Sequence, residues 1–229
     1  MLYTETAVKD NIRNRDGKRV FFLGKGDTLT PGARDFLSRE HIEIRPAETA
    51  KIEEYRLLNG GVLREKPEHM THLYGNVLVE KTHPRIAFRG AVDLLEAELL
   101  LCQMNSPQEL RCMLGEILQL ARLLIRSDVM EETLQERKLC GLSQQELRRH
   151  SHHPEEFYKQ PHFMPEYTDG AVVLHLNRCR CAARAAELAA VRAFTDETGT
   201  ATRPDILQAM NRLSSMIYIL MIRAKKEKS

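Results

Sequence analysis

Between Pro84 and Lys226 apolar residues recur every three or four positions, and a chain patterned in this way buries them by packing helix against helix. The clearest stripe is Leu110, Met113, Leu114, Ile117, Leu120, Ala121 and Leu124. The pattern predicts a first helix from about Pro84 to Met104. Ser106-Pro107-Gln108-Glu109 reads as a capping box with proline at the first helical position and opens the second. Ser143-Gln144-Gln145-Glu146 reads as another box and opens a short helix. A long alanine-rich helix follows over Ala171 to Phe194, and a last one runs from Pro204 to about Lys226. Ile206, Met210, Leu213, Ile217, Leu220 and Met221 form the buried side of that last helix. Short connections make such neighbours antiparallel, so the expected fold is mainly α, an antiparallel bundle of four or five helices. The stretch from His150 to Gly170 breaks the pattern with three prolines and several aromatic residues.

Residues 1–80 read differently. Arg19 to Leu23 is a strand-like apolar run, and Thr30-Pro31 is a helix start with threonine as N-cap. Ala33 to Arg39 continues as a short helix, and His41 to Ile44 alternates like a strand. The expectation is a small β-α-β appendage, followed by a polar linker over Glu48 to Glu68 with short extended pieces. The domains expected are therefore 1–80, appendage and linker, and 81–229, the helical bundle. Gly24-Lys25-Gly26-Asp27-Thr28 follows a strand but lacks the spacing of a phosphate-binding P-loop, and a turn into the Thr30 helix accounts for it.

A formal net charge of +2 gives no bulk electrostatic case for nucleic acid or an anionic membrane. No apolar run reaches transmembrane length, and the charged N-terminus lacks a signal peptide's apolar stretch. Five cysteines without a CxxC pair suit a reducing compartment, so a cytoplasmic protein is expected.

Three groups of residues could carry chemistry. On the alanine-rich helix, Arg180 and Arg184 are four apart and Glu187 follows at three, so all three project from one face. Two guanidiniums steadied by a carboxylate suit a polyphosphate, because arginine binds phosphate oxygens in a planar, bidentate way. On spacing alone a weak surface ion-pair ladder is the commoner outcome. Arg85, Arg89 and Asp93 recur every four residues, with Lys81 just ahead of the helix, where free N–H groups favour anions. A solvated charged stripe is the simpler alternative. Asn211 and Ser215 form a polar pair among apolar neighbours, which needs hydrogen-bond partners whether or not a substrate supplies them.

The pattern R-C-A-A-R-A-A-E over Arg180 to Glu187, followed by N-R-L-S-S over Asn211 to Ser215, resembles the signature of the PduO-type cobalamin adenosyltransferases. Lys81 and Asp93 show that family's spacing between a lysine and a helical aspartate. The ethanolamine-utilisation branch is the closer resemblance. It rests on Leu29-Thr30-Pro31-Gly32-Ala33-Arg34, Thr71-His72-Leu73, Pro84-Arg85-Ile86-Ala87-Phe88-Arg89, Gly141-Leu142-Ser143 and Arg203-Pro204-Asp205-Ile206-Leu207-Gln208-Ala209, in order along most of the chain.

The resemblance implies an enzyme that moves the 5′-deoxyadenosyl group of ATP onto cob(I)alamin, releasing triphosphate. Cob(II)alamin would be bound and reduced by a partner reductase, and the product would serve ethanolamine ammonia-lyase, with the enzyme in the cytoplasm or inside a bacterial microcompartment. Lys81, Arg180, Arg184, Glu187 and Asn211 would bind ATP, with Mg²⁺ accompanying it, and Arg180, Arg184 and Glu187 would serve catalysis. Asp93 would pair with Arg180 across a subunit interface, which implies a dimer or trimer. Phe163, in the aromatic loop Phe157 to Met164, is the candidate to cover a corrin face. The N-terminal ATP-contacting strand of trimeric relatives has no clear counterpart, with Thr4 and Glu5 as the candidates.

In one respect the chain departs from the branch. Many members carry a histidine and then a Cys-Cys-x-x-Cys cluster ahead of the first long helix. Leu63 to Pro84 holds His69, His72 and His83 but no cysteine, so a variant without a bound transition metal is expected. His150, His152, His153 and His162 lack a ligand spacing and read as loop histidines. The rival to an enzyme is a non-catalytic module that binds or delivers cobalamin. A purely structural bundle would leave Lys81, Arg180, Arg184, Glu187 and Asn211 without a reason to occur together.

Overall fold

A computed structural model describes residues 2–15, 18–24, 26–46 and 54–228. The chain separates into two compact units, one of residues 1–55 with 62–65 and one of 56–61 with 66–229.

The larger unit is helical. Strands β8 (Met70–Tyr74) and β9 (Val77–Glu80) form an antiparallel pair, and Arg56 and Leu57 align in parallel with Val77 and Leu78. Helix α3 (Pro84–Met104) follows, then α4 (Gln108–Val129), α5 (Gln144–His152), α6 (Pro154–Tyr158), α7 (Ala171–Phe194) and α8 (Pro204–Lys228). The four long helices are those expected from the apolar periodicity. Helix α7 packs between α3 and α8, α4 closes on α3, and α5 lies on α8 as a fifth member. Opposite ends meet: Phe88 stands edge-on to Phe194, Arg178 pairs with Glu98, and Arg223 pairs with Glu109. Phe88 and Glu109 stand at helix starts against Phe194 and Arg223 near helix ends, and Arg178 precedes Phe194 while its partner Glu98 follows Phe88, so α3 with α7 and α4 with α8 run antiparallel.

Alanines make the close packing of α7 possible. Ala182, Ala183, Ala186 and Ala190 are buried, and so are Leu95 and Leu99 of α3 and Leu213 and Ile217 of α8. Small residues bring the backbones together, and each fully buried leucine or isoleucine opposite them contributes about 1.5–3 kcal/mol. Gly170 enters α7 at φ 90°, a conformation that side chains with a Cβ rarely adopt. Its replacement by a larger residue would misdirect the chain that links the aromatic loop to α7.

Two local expectations are corrected. Ser106 does not cap α4: Pro107 holds the N-cap position, and the buried Ser106 hydroxyl donates to the Cys102 carbonyl at 2.7 Å. Its position under the last turn of α3 puts a helix-end carbonyl, which the Asn105 N–H also bonds, within its reach. Ser143 does cap α5, with Glu146 completing the box. The charged line Arg85–Arg89 is neither a solvated stripe nor a phosphate site. Arg85 Nε and Arg89 Nε donate to opposite oxygens of Asp128 at 2.7 and 2.6 Å, and Asp128 is wholly buried at the end of α4. Arg89 also donates to the Leu73 carbonyl, which ties β8 to α3.

The smaller unit holds β1 (Leu2–Tyr3), α1 (Glu5–Asp10), β2 (Arg13–Arg15), β3 (Lys18–Leu23), β4 (Thr28–Leu29), α2 (Pro31–Arg39) and β5 (Glu43–Pro46). Strand β3 pairs in parallel with β5, with α2 between them in sequence, which is the expected β-α-β unit. Thr30 accepts from the Ala33 N–H and Pro31 begins the helix. Val8, Phe21, Ala33, Phe36, Leu37 and Ile42 form its core. Thr4 caps α1 and Glu5 pairs with Lys9, so both serve this unit's own helix. Strands β6 (Tyr55–Leu57) and β7 (Val62–Leu63) lie within the expected linker. Its residues 48–53, and Lys25 of the glycine-rich run, lie outside the described residues.

Candidate active site

The face of α7 that carries Arg180, Arg184 and Glu187 meets the face of α8 that carries Asn211, and a cleft of about 500 Å³ opens between them. The geometry follows from helix periodicity. Residues 180, 184 and 187 fall within one arc of α7, and 211, 215 and 218 fall within one arc of α8. Asn211 Nδ2 donates to Glu187 Oε1 at 2.7 Å across the cleft. Arg180 Nε and Nη2 both donate to Asn177 Oδ1, one turn earlier on α7, at 3.2 and 2.9 Å. Arg184 is exposed and makes no hydrogen bond or ion pair among the described residues.

These contacts alter the roles read from spacing. Glu187 faces Asn211 rather than either arginine, and the amide of Asn177 steadies Arg180. The spacing-only alternative, an ion-pair ladder along α7, is not formed among the described residues. Ser215 does not bond the Asn211 side chain; its hydroxyl donates to the Asn211 backbone carbonyl at 3.0 Å, a local bond within α8.

Arg180 also lines a second cleft of about 390 Å³, with Phe163, Met164, Pro165 and Met221. Phe163 thus lies beside the arginine site, half-buried, with Lys225 Nζ 4.3 Å above its ring centre. Lys81 and Asp93 are exposed and line neither cleft. The Lys81 backbone N–H donates to the His69 carbonyl, and His83 caps α3 by accepting from the Arg85 N–H.

Sequence reasoning missed His162 and Tyr218 as site residues. Both line both clefts. The aromatic richness of the loop was visible, but the contact joins positions 56 residues apart, beyond what periodicity can show. Leu188 and Val191 supply an apolar edge to the first cleft and are exposed on α7. His150, by contrast, packs on Phe157 and bonds to the Tyr158 hydroxyl. Among the described residues no three His, Cys, Asp or Glu side chains gather as a metal site. Among the described residues Glu187 is the one carboxylate lining the arginine cleft.

Two adjoining clefts, one cationic and polar and one aromatic, suit a polyanion beside a large apolar ring system. Comparison with known proteins gives the family. A family model described as cobalamin adenosyltransferase matches residues 62–224. The chain belongs to the cobalamin adenosyltransferase family. It is 35% identical over 243 aligned residues to the corrinoid adenosyltransferase EutT of Salmonella typhimurium, covering 96% of this chain and 90% of that one. The Escherichia coli EutT is 34% identical with the same coverage. Among solved structures, a variant PduO-type ATP:corrinoid adenosyltransferase from Lactobacillus reuteri, complexed with cobalamin and ATP, superposes with a TM-score of 0.51 at 18% identity. That match covers 79% of this chain and 93% of the other. The likeness places the mainly helical fold of this family member among the PduO-type adenosyltransferases. No helix among the described residues is long and apolar enough to cross a membrane.

Proposed function

We propose that this chain transfers the 5′-deoxyadenosyl group of ATP to cob(I)alamin, with the helical unit as the catalytic part. The observation that carries this reading is the convergence of Arg180, Arg184, Glu187 and Asn211 on one cleft that shares Arg180 with the Phe163 cleft. In the reaction a cobalt–carbon bond forms, the bond from C5′ to the α-phosphate oxygen breaks, and triphosphate leaves with the electron pair. Negative charge therefore grows on the phosphate side, where cations held in place beforehand act most strongly. Arg184 is free to take a phosphate oxygen. Arg180 is held by Asn177 and stands at the border of the two clefts, where the reacting carbon must lie. Glu187 and Asn211 brace each other and present the edge of α8 to the nucleotide.

Mg²⁺ enters with ATP as part of the substrate. It keeps most of its ligands on phosphate and water and needs no all-protein cage, so a site with the single carboxylate Glu187 fits it. The aromatic cleft suits the corrin, with Phe163 excluding water from one face.

Lys81 and Asp93 lie apart from these clefts. We assign them to the cleft of a second copy, with Asp93 paired to Arg180, in a dimer or trimer. A reductase would supply the electron for cob(II)alamin. The EutT relatives point to ethanolamine utilisation as the setting, in the cytoplasm or within a microcompartment, with ethanolamine ammonia-lyase as the consumer of the product.

The test is direct. Purified protein with ATP, Mg²⁺ and chemically reduced cob(I)alamin should give the optical change to adenosylcobalamin. Cobalamin binding without turnover would overturn the enzyme reading in favour of a delivery module.

A further inference from the structure

The loop that carries Phe163 is fastened to the helix that carries Asn211. His162 Nδ1 and the Tyr218 hydroxyl lie 2.7 Å apart, with their rings within 11° of parallel. His162 Nε2 lies 3.3 Å from the His152 carbonyl at the end of α5. A carbonyl can only accept, so Nε2 carries the proton, and in the neutral ring Nδ1 accepts from Tyr218. The backbone N–H of Phe163 also faces the Tyr218 oxygen. The hydroxyl therefore joins two consecutive loop residues, and the loop joins α5 to α8.

The position of this junction matters more than its existence. His162, Tyr218 and Arg180 are the three residues that line both clefts, so they form the wall between them. Tyr218 lies seven residues beyond Asn211 on the same face of α8, about 10 Å along the axis. One rigid helix thus presents Asn211 to the nucleotide cleft and Tyr218 to the dividing wall. Burial pushes the Tyr218 hydroxyl up from its ordinary range, so it stays protonated and able to donate.

We infer that His162 and Tyr218 are positioning residues that set the Phe163 loop against Arg180 and so fix the separation of the two clefts. The inference deepens the adenosyl-transfer reading and rests on it for the substrates. The pair touches no reacting atom in this role; it acts through Phe163 on one side and Arg180 on the other.

Tyr218→Phe removes the hydroxyl and keeps the ring. It should raise the KM for cobalamin about fivefold, the worth of one ordinary hydrogen bond, and lower kcat, while the KM for ATP moves less than about twofold and the melting temperature holds. His162→Asn keeps an acceptor near the Nδ1 position and should retain most of the function that His162→Ala loses. Combining Tyr218→Phe with His162→Ala should cost less than the sum of the two single changes, because both remove the contact between Nδ1 and the hydroxyl. Trypsin cleavage after Lys159 should also quicken in Tyr218→Phe, which reads the docking of the loop without any turnover. Unchanged kinetics in Tyr218→Phe, equal losses on the ATP and cobalamin sides, additive losses in the double variant or unaltered cleavage would each overturn the pair. Absence of turnover by the unaltered protein in the same assay would instead overturn the adenosyl-transfer reading, and the cleavage experiment would still decide whether the pair fastens the loop.

Discussion

Asn211 Nδ2 and Glu187 Oε1 meet at 2.7 Å across the cleft between the last two helices. The bond joins an amide to a carboxylate, and hydrogen bonds to charged groups are worth about 1.5–3 kcal/mol. It fixes both the spacing of α7 from α8 and the direction of the one carboxylate in the cleft. Asn211→Ala should therefore reduce kcat/KM for ATP by roughly 10- to 150-fold. Glu187→Gln, which keeps an acceptor but loses the charge, should retain the melting temperature and lose turnover. Steady-state kinetics with varied ATP, beside thermal melts, check both. An Asn211→Ala enzyme with wild-type kcat/KM would remove the pair from the site.

Arg184 differs from Arg180 in having no intramolecular partner among the described residues, so its replacement costs the folded chain little. Arg184→Ala should lower turnover by about 100- to 1,000-fold, the usual effect of losing one group that stabilises transition-state charge. Arg184→Lys should recover only part of this, since an ammonium cannot offer the bidentate fork. Single-turnover rates with cob(I)alamin separate this effect from substrate binding. Equal rates for the alanine and lysine variants would argue against a geometric role.

What the sequence made legible divides along a physical line. The four long helices and the Thr30 and Ser143 caps depend on neighbours within about four residues, and the structure has them where the sequence places them. The common face of Arg180, Arg184 and Glu187 was legible for the same reason. Contacts between distant positions were not. Asp128 lies 43 and 39 residues from Arg85 and Arg89, and nothing in the spacing of the arginines names it. Ser106 shows a local motif overridden by packing: the capping pattern was present, but the end of α3 claimed the hydroxyl. The partners of Glu187 and Arg180 are amides, and an amide leaves no charge pattern to find.

Asp128 is wholly buried between two guanidiniums, with Arg85 and Arg89 17% and 15% exposed. Removing one member of such a group leaves buried charge without compensation, at a cost of about 3–5 kcal/mol. Asp128→Ala should lower the melting temperature by roughly 6–20 °C. Because Arg89 also holds the Leu73 carbonyl, protection of the β8 amides from hydrogen exchange should fall with it. A variant as stable as the wild type would show that the arginines find water or Glu131 instead.

The absence of cysteine between Leu63 and Pro84 bears on metal dependence. The histidines there have other duties in part, since His83 Nδ1 accepts from the Arg85 N–H. Turnover is expected to survive exhaustive chelation once Mg²⁺ is restored. Recovery that requires Fe²⁺ or Zn²⁺ would refute this, and metal analysis of the purified protein gives an independent reading.

His83 makes the fold sensitive to mild acid. Its Nδ1 caps α3 only when unprotonated, because a protonated ring has no acceptor to offer the Arg85 N–H. Burial, and then the nearby Arg85 and Arg89 guanidiniums, hold it below its ordinary 6.5, and Asp128 offsets them only in part. The folded chain therefore binds this proton less well than the unfolded chain. The stability it contributes is complete above 6.5 and is lost as pH falls through the lower folded value. His83→Asn supplies a capping oxygen that does not titrate. Between about pH 7 and pH 5 the wild type should lose stability more steeply than this variant, as followed by chemical denaturation at each pH. Parallel curves for the two proteins would show that the cap does not sense protons.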